Sequence, residues 1–248
     1  MNNPNVLISC DYGSIIVNRY DPYLGLEISA NGYWAKEDIN LIKMIMEIKL
    51  KDAEKVVFYD VGANIGTHTL AIAKSLGEKV FVRSFEAQRM MYYMACGTIA
   101  LNGLFNVEIE NVAVSDINGD VIEIQLPDYT KSNNFGGLEL IEPKRTDNMN
   151  MIKYKKQNVI TRTLDSYDEK VDFIKMDIEG MEDRALEGSK ELFKRCRHTC
   201  FIEILKTDID YVSNFFKTRN YVGFQKNNDI ITIPIEYNFG INNLDRIF

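Results

Sequence analysis

Four cysteines in 248 residues, Cys10, Cys96, Cys196 and Cys200, are too few and too irregularly spaced for a disulfide scaffold. Histidine is scarcer, with only His68 and His198, and the grouping Cys196-x-His198-x-Cys200 has no second ligand pair at zinc spacing elsewhere. These three read as core or surface residues at the entry to a strand. No apolar run is long enough to span a membrane, and Met1-Asn2-Asn3-Pro4-Asn5 lacks the basic and apolar regions of a signal peptide. A reducing, cytoplasmic setting is therefore expected. Positive charge is also short: 29 Lys and Arg against 36 Asp and Glu leave a formal charge of −7, which disfavours a nucleic-acid partner and its basic stripe. What remains is ordinary for a globular protein, 46% hydrophobic and 26% charged. The length suits a single α/β domain over residues 1–248.

The chain is organised around Val56–His68. A buried run of β-branched and aromatic residues ends at Asp60-Val61, a turn follows through Gly62-Ala63-Asn64-Ile65-Gly66, and a helix then runs from Thr67 towards Gly77. Gly62 permits a tight turn where a Cβ would clash, and Gly66 lets the helix N-terminus approach the sheet or a ligand. A dinucleotide turn needs a middle glycine so that the pyrophosphate can reach the backbone, and here Asn64 takes that position. A carboxylate at the strand end and loop carbonyls suit a ligand with an ammonium group and no phosphate. S-adenosylmethionine is such a ligand. The next strand, Val80–Phe85, ends in Glu86, whose carboxylate oxygens match the two hydroxyls of a ribose.

Elsewhere, residues 5–20 read as a hairpin outside the main sheet, with Val6–Ile8 against Ile15–Val17, and residues 36–50 as a cap helix with Glu37-Asp38 at its start. A helix over 89–102 and a third strand over 107–114 follow, and Asn111, Val112 and Ala113 at that strand's end are candidates to flank the adenine. Ile117-Asn118-Gly119-Asp120 signals a hairpin turn into Val121–Leu126. The polar stretch 128–158 reads as an acceptor-binding lid. Order returns at 159–163, a fourth main strand covers 171–176, and a fifth ends at Glu203. A helix over 208–219 capped by Asp208 and a closing hairpin, 221–225 against 230–234, complete the pattern. The expected architecture is a doubly wound, mostly parallel seven-stranded sheet with a C-terminal antiparallel hairpin. Residues 1–50 add a hairpin and cap helix to a 51–248 core.

Four motifs in order, Asp60-Val61-Gly62-Ala63-Asn64-Ile65-Gly66, Ser84-Phe85-Glu86-Ala87, Thr163-Leu164-Asp165 and Ile174-Lys175-Met176-Asp177-Ile178-Glu179-Gly180-Met181-Glu182, resemble the FkbM family of S-adenosylmethionine-dependent methyltransferases. The last two are the more specific. The resemblance covers about residues 56–205 and implies a class I methyltransferase fold of the Rossmann-like type, with O-methylation of a hydroxyl on a sugar or polyketide-type product. Ala87-Gln88 departs from the family, which more often has proline after the glutamate.

The expected cofactor contacts are Asp60, Gly62, Ala63, Asn64, Gly66, Thr67, His68, Glu86, Ala87, Asn111, Val112, Ala113 and Asp177. An alcohol is a poor nucleophile until its proton is taken, so a carboxylate at the cleft edge is needed. Asp177 is the first candidate for base or acceptor-orienting group, Glu203 the second and Glu179 the third, with a structural role in the turn as Glu179's alternative. His68, in the first turn of its helix, stays in view as a base. Trp34, Lys36, Asn133 and Asn134 are candidates for a small-molecule or glycan acceptor. No metal is signalled, and homo-oligomerisation is left open. A nicotinamide oxidoreductase should show G-x-G-x-x-G, and a nucleic-acid methyltransferase an Asn/Asp-Pro-Pro-aromatic signature; both are absent. A non-catalytic cofactor-binding protein is the remaining alternative.

Overall fold

The computed structural model describes residues 3–141, 149–237 and 244–248. It opens with the hairpin β1 (Asn5–Cys10) and β2 (Gly13–Asn18), in which Val6 faces Val17 and Ile8 faces Ile15. Helix α1 (Leu24–Asn31), which the sequence reading did not contain, ends at Gly32 in the left-handed region, φ 82°. Helix α2 (Lys36–Lys49) follows. Then come β3 (Val56–Val61), α3 (Thr67–Leu76), β4 (Val80–Phe85), α4 (Arg89–Leu101) and β5 (Val107–Glu110). Next are β6 (Val112–Val114), β7 (Val121–Pro127), β8 (Met151–Arg162) and β9 (Phe173–Met176). The chain closes with α5 (Glu182–Glu187), α6 (Lys190–Arg195), β10 (Thr199–Glu203), α7 (Ile209–Lys217), β11 (Tyr221–Lys226), β12 (Asp229–Pro234) and β13 (Asp245–Arg246). The Asp208 carboxylate caps α7 by accepting from the backbone N–H groups of Asp210 and Tyr211.

The main sheet has the order β13-β11-β12-β10-β9-β3-β4-β5. Its centre, from β10 to β5, is parallel, and β12, β11 and the two-residue β13 add antiparallel strands at one edge. The seven expected strands are present, and β13 makes an eighth. Strand periodicity sends alternate residues of β3 to opposite faces. Val56 and Phe58 join Ile42, Met46 and Ile72 from α2 and α3, while Tyr59 and Val61 join Leu186, Phe193 and Phe216 from the helices on the other face. Helices on both faces explain why the central strands are apolar throughout.

Three expectations need correction. The strand expected over 107–114 breaks at Asn111, whose side-chain N–H groups donate to the carbonyls of Glu86 and Ala87. Beyond that break, β6 leaves the main sheet. The turn at Ile117–Asp120 does not join two neighbouring strands, because β8 lies between β6 and β7 in a separate three-stranded sheet. The stretch 128–158 is not irregular throughout: Met151–Arg162 is one strand, antiparallel to β7. Its lysines face water while Gln157, Val159 and Thr161 point inward, so a solvated sheet face was read as a loop. Residues 142–148 of that expected lid lie outside the described residues. The N-terminal hairpin stands apart from the main sheet but is docked. Ile15 and Val17 are fully buried, and the backbone N–H groups of Ser14 and Ile16 donate to Asn102 and Thr98 at the end of α4.

Candidate active site

The carboxyl ends of β3, β4, β9 and β10 meet at one cleft, as the rule for open α/β sheets requires. Gly62 leaves β3 at φ 85°, and a Cβ there would lie 1.8 Å from the Asp177 carbonyl oxygen, so only glycine lets the ends of β3 and β9 come this close. The N–H groups of Gly62 and Ala63 both donate to the Phe85 carbonyl, at 3.0 and 2.9 Å, which ties the turn to β4. Gly66, at φ 84°, faces Ala95 of α4, where a Cβ would sit 3.4 Å from the alanine Cβ. Its freedom serves helix packing, not ligand approach. Asp60 lies under the turn, fully buried, and its Oδ2 accepts from the Thr69 N–H at 3.0 Å and the Thr69 hydroxyl at 2.7 Å. It anchors the first turn of α3 from below.

Glu86 reaches back from the end of β4. Its Oε2 accepts from the Asn64 N–H at 2.8 Å and its Oε1 from the Gln88 N–H at 2.7 Å. Burial pushes its carboxyl up to about 7, against the pull of those two donors. The departure at Ala87-Gln88 has a consequence here, because the Gln88 side chain donates to the Phe135 carbonyl and accepts from the Tyr129 hydroxyl. Gln88 thereby fixes the stretch that covers the cleft.

At the other end, one carboxylate oxygen each from Asp177, Glu179 and Glu203 lie within 4.8 Å of one another. Lys175, 5% exposed, donates to the Gly62 carbonyl at 3.2 Å and to Asp177 at 3.3 Å. Burial works against its charge, but Asp177 and Asp60 more than offset it and hold the lysine above its usual range. Glu179 sits at φ 57° and pairs with Lys206 at 2.5 Å. Burial, and secondarily Asp177, raise its carboxyl to about 7. Glu203 is raised to about 8 by burial, then by Asp177 and Glu179, and its Oε2 is buried without a hydrogen-bond partner among the described residues. Glu182 shapes the turn: fully buried, it accepts from the N–H groups of Ile178 and Gly180 and from the Thr207 hydroxyl.

These two ends form a single cavity of about 240 Å³. Of the expected cofactor contacts, Gly62, Ala63, Asn64, Thr67, His68, Glu86, Ala87, Val112, Ala113 and Asp177 line it. Asp60, Gly66 and Asn111 do not, and support the wall from behind through the bonds and packing just given. Trp34 and Asn134 line it as well. Lys36 does not, being ion-paired with Asp11 at 2.9 Å, and Asn133 is buried with its amide donating to the carbonyls of Asp128 and Asn150. His68 lines the cavity, and burial followed by Lys175 lowers its pKa, so the imidazole is neutral at pH 7. Asp21, Tyr23, Leu24, Gln88, Leu138 and Lys175 also line it and were not foreseen. A lysine inside an apolar strand was a usable signal for Lys175, and Asp21-Pro22 a turn signal ahead of α1.

The cavity suits S-adenosylmethionine. Asn64 and Thr67 line it, and the Asn64 Oδ1 and Thr67 Oγ1 atoms are buried with no partner among the described residues, which leaves them for a ligand's polar groups. Strand order and site together define a class I S-adenosylmethionine-dependent methyltransferase. The model of the methyltransferase FkbM domain matches residues 60–229, more than half of the chain, and the chain belongs to that family.

Among solved structures, an FkbM methyltransferase from Methylobacillus flagellatus is 16% identical with a TM-score of 0.52, over 72% of this chain and 43% of that one. This chain thus spans less than half the length of that relative. A SAM-dependent O-methyltransferase from Thermotoga maritima is 12% identical, TM-score 0.46, over 93% and 77% of the two chains. A tRNA (uracil-54, C5)-methyltransferase from Pyrococcus abyssi in complex with S-adenosyl-L-homocysteine is 10% identical, TM-score 0.49, over 94% and 44%. No curated protein matches the sequence. Among the described residues no helix is long and apolar enough to cross a membrane.

Proposed function

We propose that this chain transfers the methyl group of S-adenosylmethionine to a hydroxyl of a sugar or glycan. The observation that carries this reading is the trio Asp177, Glu179 and Glu203, three carboxylates gathered beside the cofactor half of the cleft. The cofactor supplies an electrophilic methyl group on a sulfonium. Glu86 would accept hydrogen bonds from its ribose hydroxyls, Ala87, Val112 and Ala113 would flank the adenine, and the turn Gly62–Asn64 with Thr67 and His68 would hold the amino-acid end. Asp177 accepts the proton of the acceptor hydroxyl as the new bond forms, and Glu203 and Glu179 orient neighbouring hydroxyls.

The charge of the cleft narrows the acceptor. Asp21, Glu86, Asp177, Glu179 and Glu203 face Lys175 as the one lysine of the lining, so once the raised carboxyls ionise, above about pH 8, a phosphate-bearing acceptor would be repelled and a hydroxyl-rich neutral one welcomed. Trp34 and Tyr23 of the lining offer aromatic faces to the apolar side of a sugar ring. Residues 3–50 and 128–141 act as the cover of one methyltransferase domain.

The test is to incubate the protein with methyl-labelled S-adenosylmethionine and separate pools of glycans, nucleotide sugars, lipid-soluble metabolites and RNA. Label in the glycan pool supports the reading. Label in the lipid-soluble pool moves the acceptor to a polyketide or lipid, and label only in RNA overturns the charge argument. No label from any pool, with the cofactor still bound, favours a non-catalytic binding protein.

A further inference from the structure

Lys206 lies outside all four motifs, on the loop between β10 and α7, and its side chain is only 10% exposed. It pairs with Glu179 at 2.5 Å and Glu139 at 3.7 Å and donates to the Gly137 carbonyl at 3.1 Å. These partners come from two segments distant in the chain. One is the turn after β9, where Glu179 and Gly180 both adopt positive φ, 57° and 98°. The other is the stretch 134–140, which lines the cleft through Asn134, Gly136, Leu138 and Leu140. The near end of that stretch is held separately: Phe135 is fully buried and stacked on Tyr129, its carbonyl accepts from Gln88, and the Asn133 N–H donates to the Tyr20 carbonyl.

We propose that Lys206 is a positioning residue that fastens the 136–140 stretch to Glu179, so that the wall over the acceptor end and the carboxylate facing it are set by one ammonium. The geometry calls for a long cationic donor, with Glu179 and the Gly137 carbonyl in hydrogen-bond reach and Glu139 farther off at 3.7 Å. One carbonyl and two carboxylates converge, and an ammonium offers three N–H bonds from a single point while its charge offsets buried acids. Glu179, held away from the favoured backbone region, gains a partner that keeps its side chain on the cleft side of the turn. Lys206 acts on catalysis in this way only if the acceptor enters between these two segments, as proposed above. The experiment uses no acceptor, so its failure is separate from a wrong acceptor assignment.

The full chain, Lys206→Met and Lys206→Arg are compared with S-adenosylhomocysteine as the probe. Backbone hydrogen exchange is followed over 129–140, and ligand release through the fluorescence of Trp34, the single tryptophan of the sequence, which lines the cleft. In Lys206→Met, exchange over 136–140 rises about tenfold, as expected for losing a hydrogen bond to a charged group, and release quickens by a similar factor. Exchange over 129–135 stays as it was, and Lys206→Arg recovers most of the protection. Unchanged exchange over 136–140 overturns the proposal, as does a uniform loss of protection across the chain that arginine does not recover. If Lys206→Met does not fold, Glu179→Gln removes the same ion pair without deleting the lysine, and the same local rise, or its absence, decides.

Discussion

At the β3–β4 end of the cleft the two carboxylates accept from backbone N–H groups of neighbouring turns, whereas at the β9–β10 end the carboxylates crowd against one another beside two lysines. Glu86 keeps two backbone N–H groups and Asp60 the first turn of α3, and the turn between them is built from glycines at positive φ. Across the cleft, three carboxylates crowd together, one of them on a left-handed non-glycine residue and another with a buried oxygen lacking a partner among the described residues. A cofactor of fixed shape is served by a rigid cradle. Across the cleft, burial and mutual repulsion hold the Glu179 and Glu203 carboxyls above their usual range, and such crowding costs stability.

The largest blow to this contrast is Gly62→Ala. A methyl group 1.8 Å from the Asp177 carbonyl forces β3 and β9 apart and damages both ends at once. The expected loss is ~4 kcal/mol or more, about 10 °C of Tm for a chain of this size, together with cofactor binding, checked by thermal melting and calorimetry. Asp177→Asn separates the ends: methyl transfer to whichever pool accepts label drops by about 100-fold or more, while S-adenosylhomocysteine still binds. Retained turnover would remove Asp177 from the role of base.

Glu86→Gln probes the opposite side, with affinity for the cofactor falling about tenfold, ~1.4 kcal/mol, and turnover of bound cofactor unchanged. Wild-type affinity should also weaken as pH falls below about 7, because a protonated Glu86 accepts less well from ribose hydroxyls, and the Gln variant should lack this dependence.

A smaller effect concerns the crowding itself. Glu86, Glu179, Glu203 and Asp229 have raised carboxyls, at about 7, 7, 8 and 7. The folded state therefore retains protons that the unfolded chain has already released. Stability from these groups is complete below about pH 4.5 and is lost as pH rises through 7 to 8. Melting curves at pH 5.5 and 8.5 should show the higher Tm at the lower pH, with a flatter profile in Glu203→Gln; a rise in Tm with pH would contradict the crowding. Lys36→Ala, at an exposed ion pair away from the cleft, should move Tm and cofactor affinity by no more than ~0.5 kcal/mol.

The cofactor end was legible because its signals are local. An apolar run, glycines at a turn, a helix and a strand-end acid fall within Val56–Glu86, and each is decided by its near neighbours. Helix α1 was not, since eight residues with Leu24 and Ile28 facing inward leave too short a pattern. Strand β8 was hidden by lysines on its wet face. Asn111 ends a strand through bonds to carbonyls 25 and 24 residues earlier, and Lys206 reaches Gly137 across 69. Periodicity carries no record of such pairings, so the acids at the β9–β10 end could be named from sequence but not Lys206, which holds one of them from another loop.

Strand β12 lies between β10 and β11, with Asp229 opposite Glu203. On a ribosome, β3, β4 and β5 can pair from contacts close in the chain, while Glu203 must wait until residues 229–234 emerge to give β10 its second neighbour. A nascent chain would thus form the turn at Gly62 and the strand end at Glu86 before Glu203 is fixed in register, so the cleft closes from the β4 side towards β12.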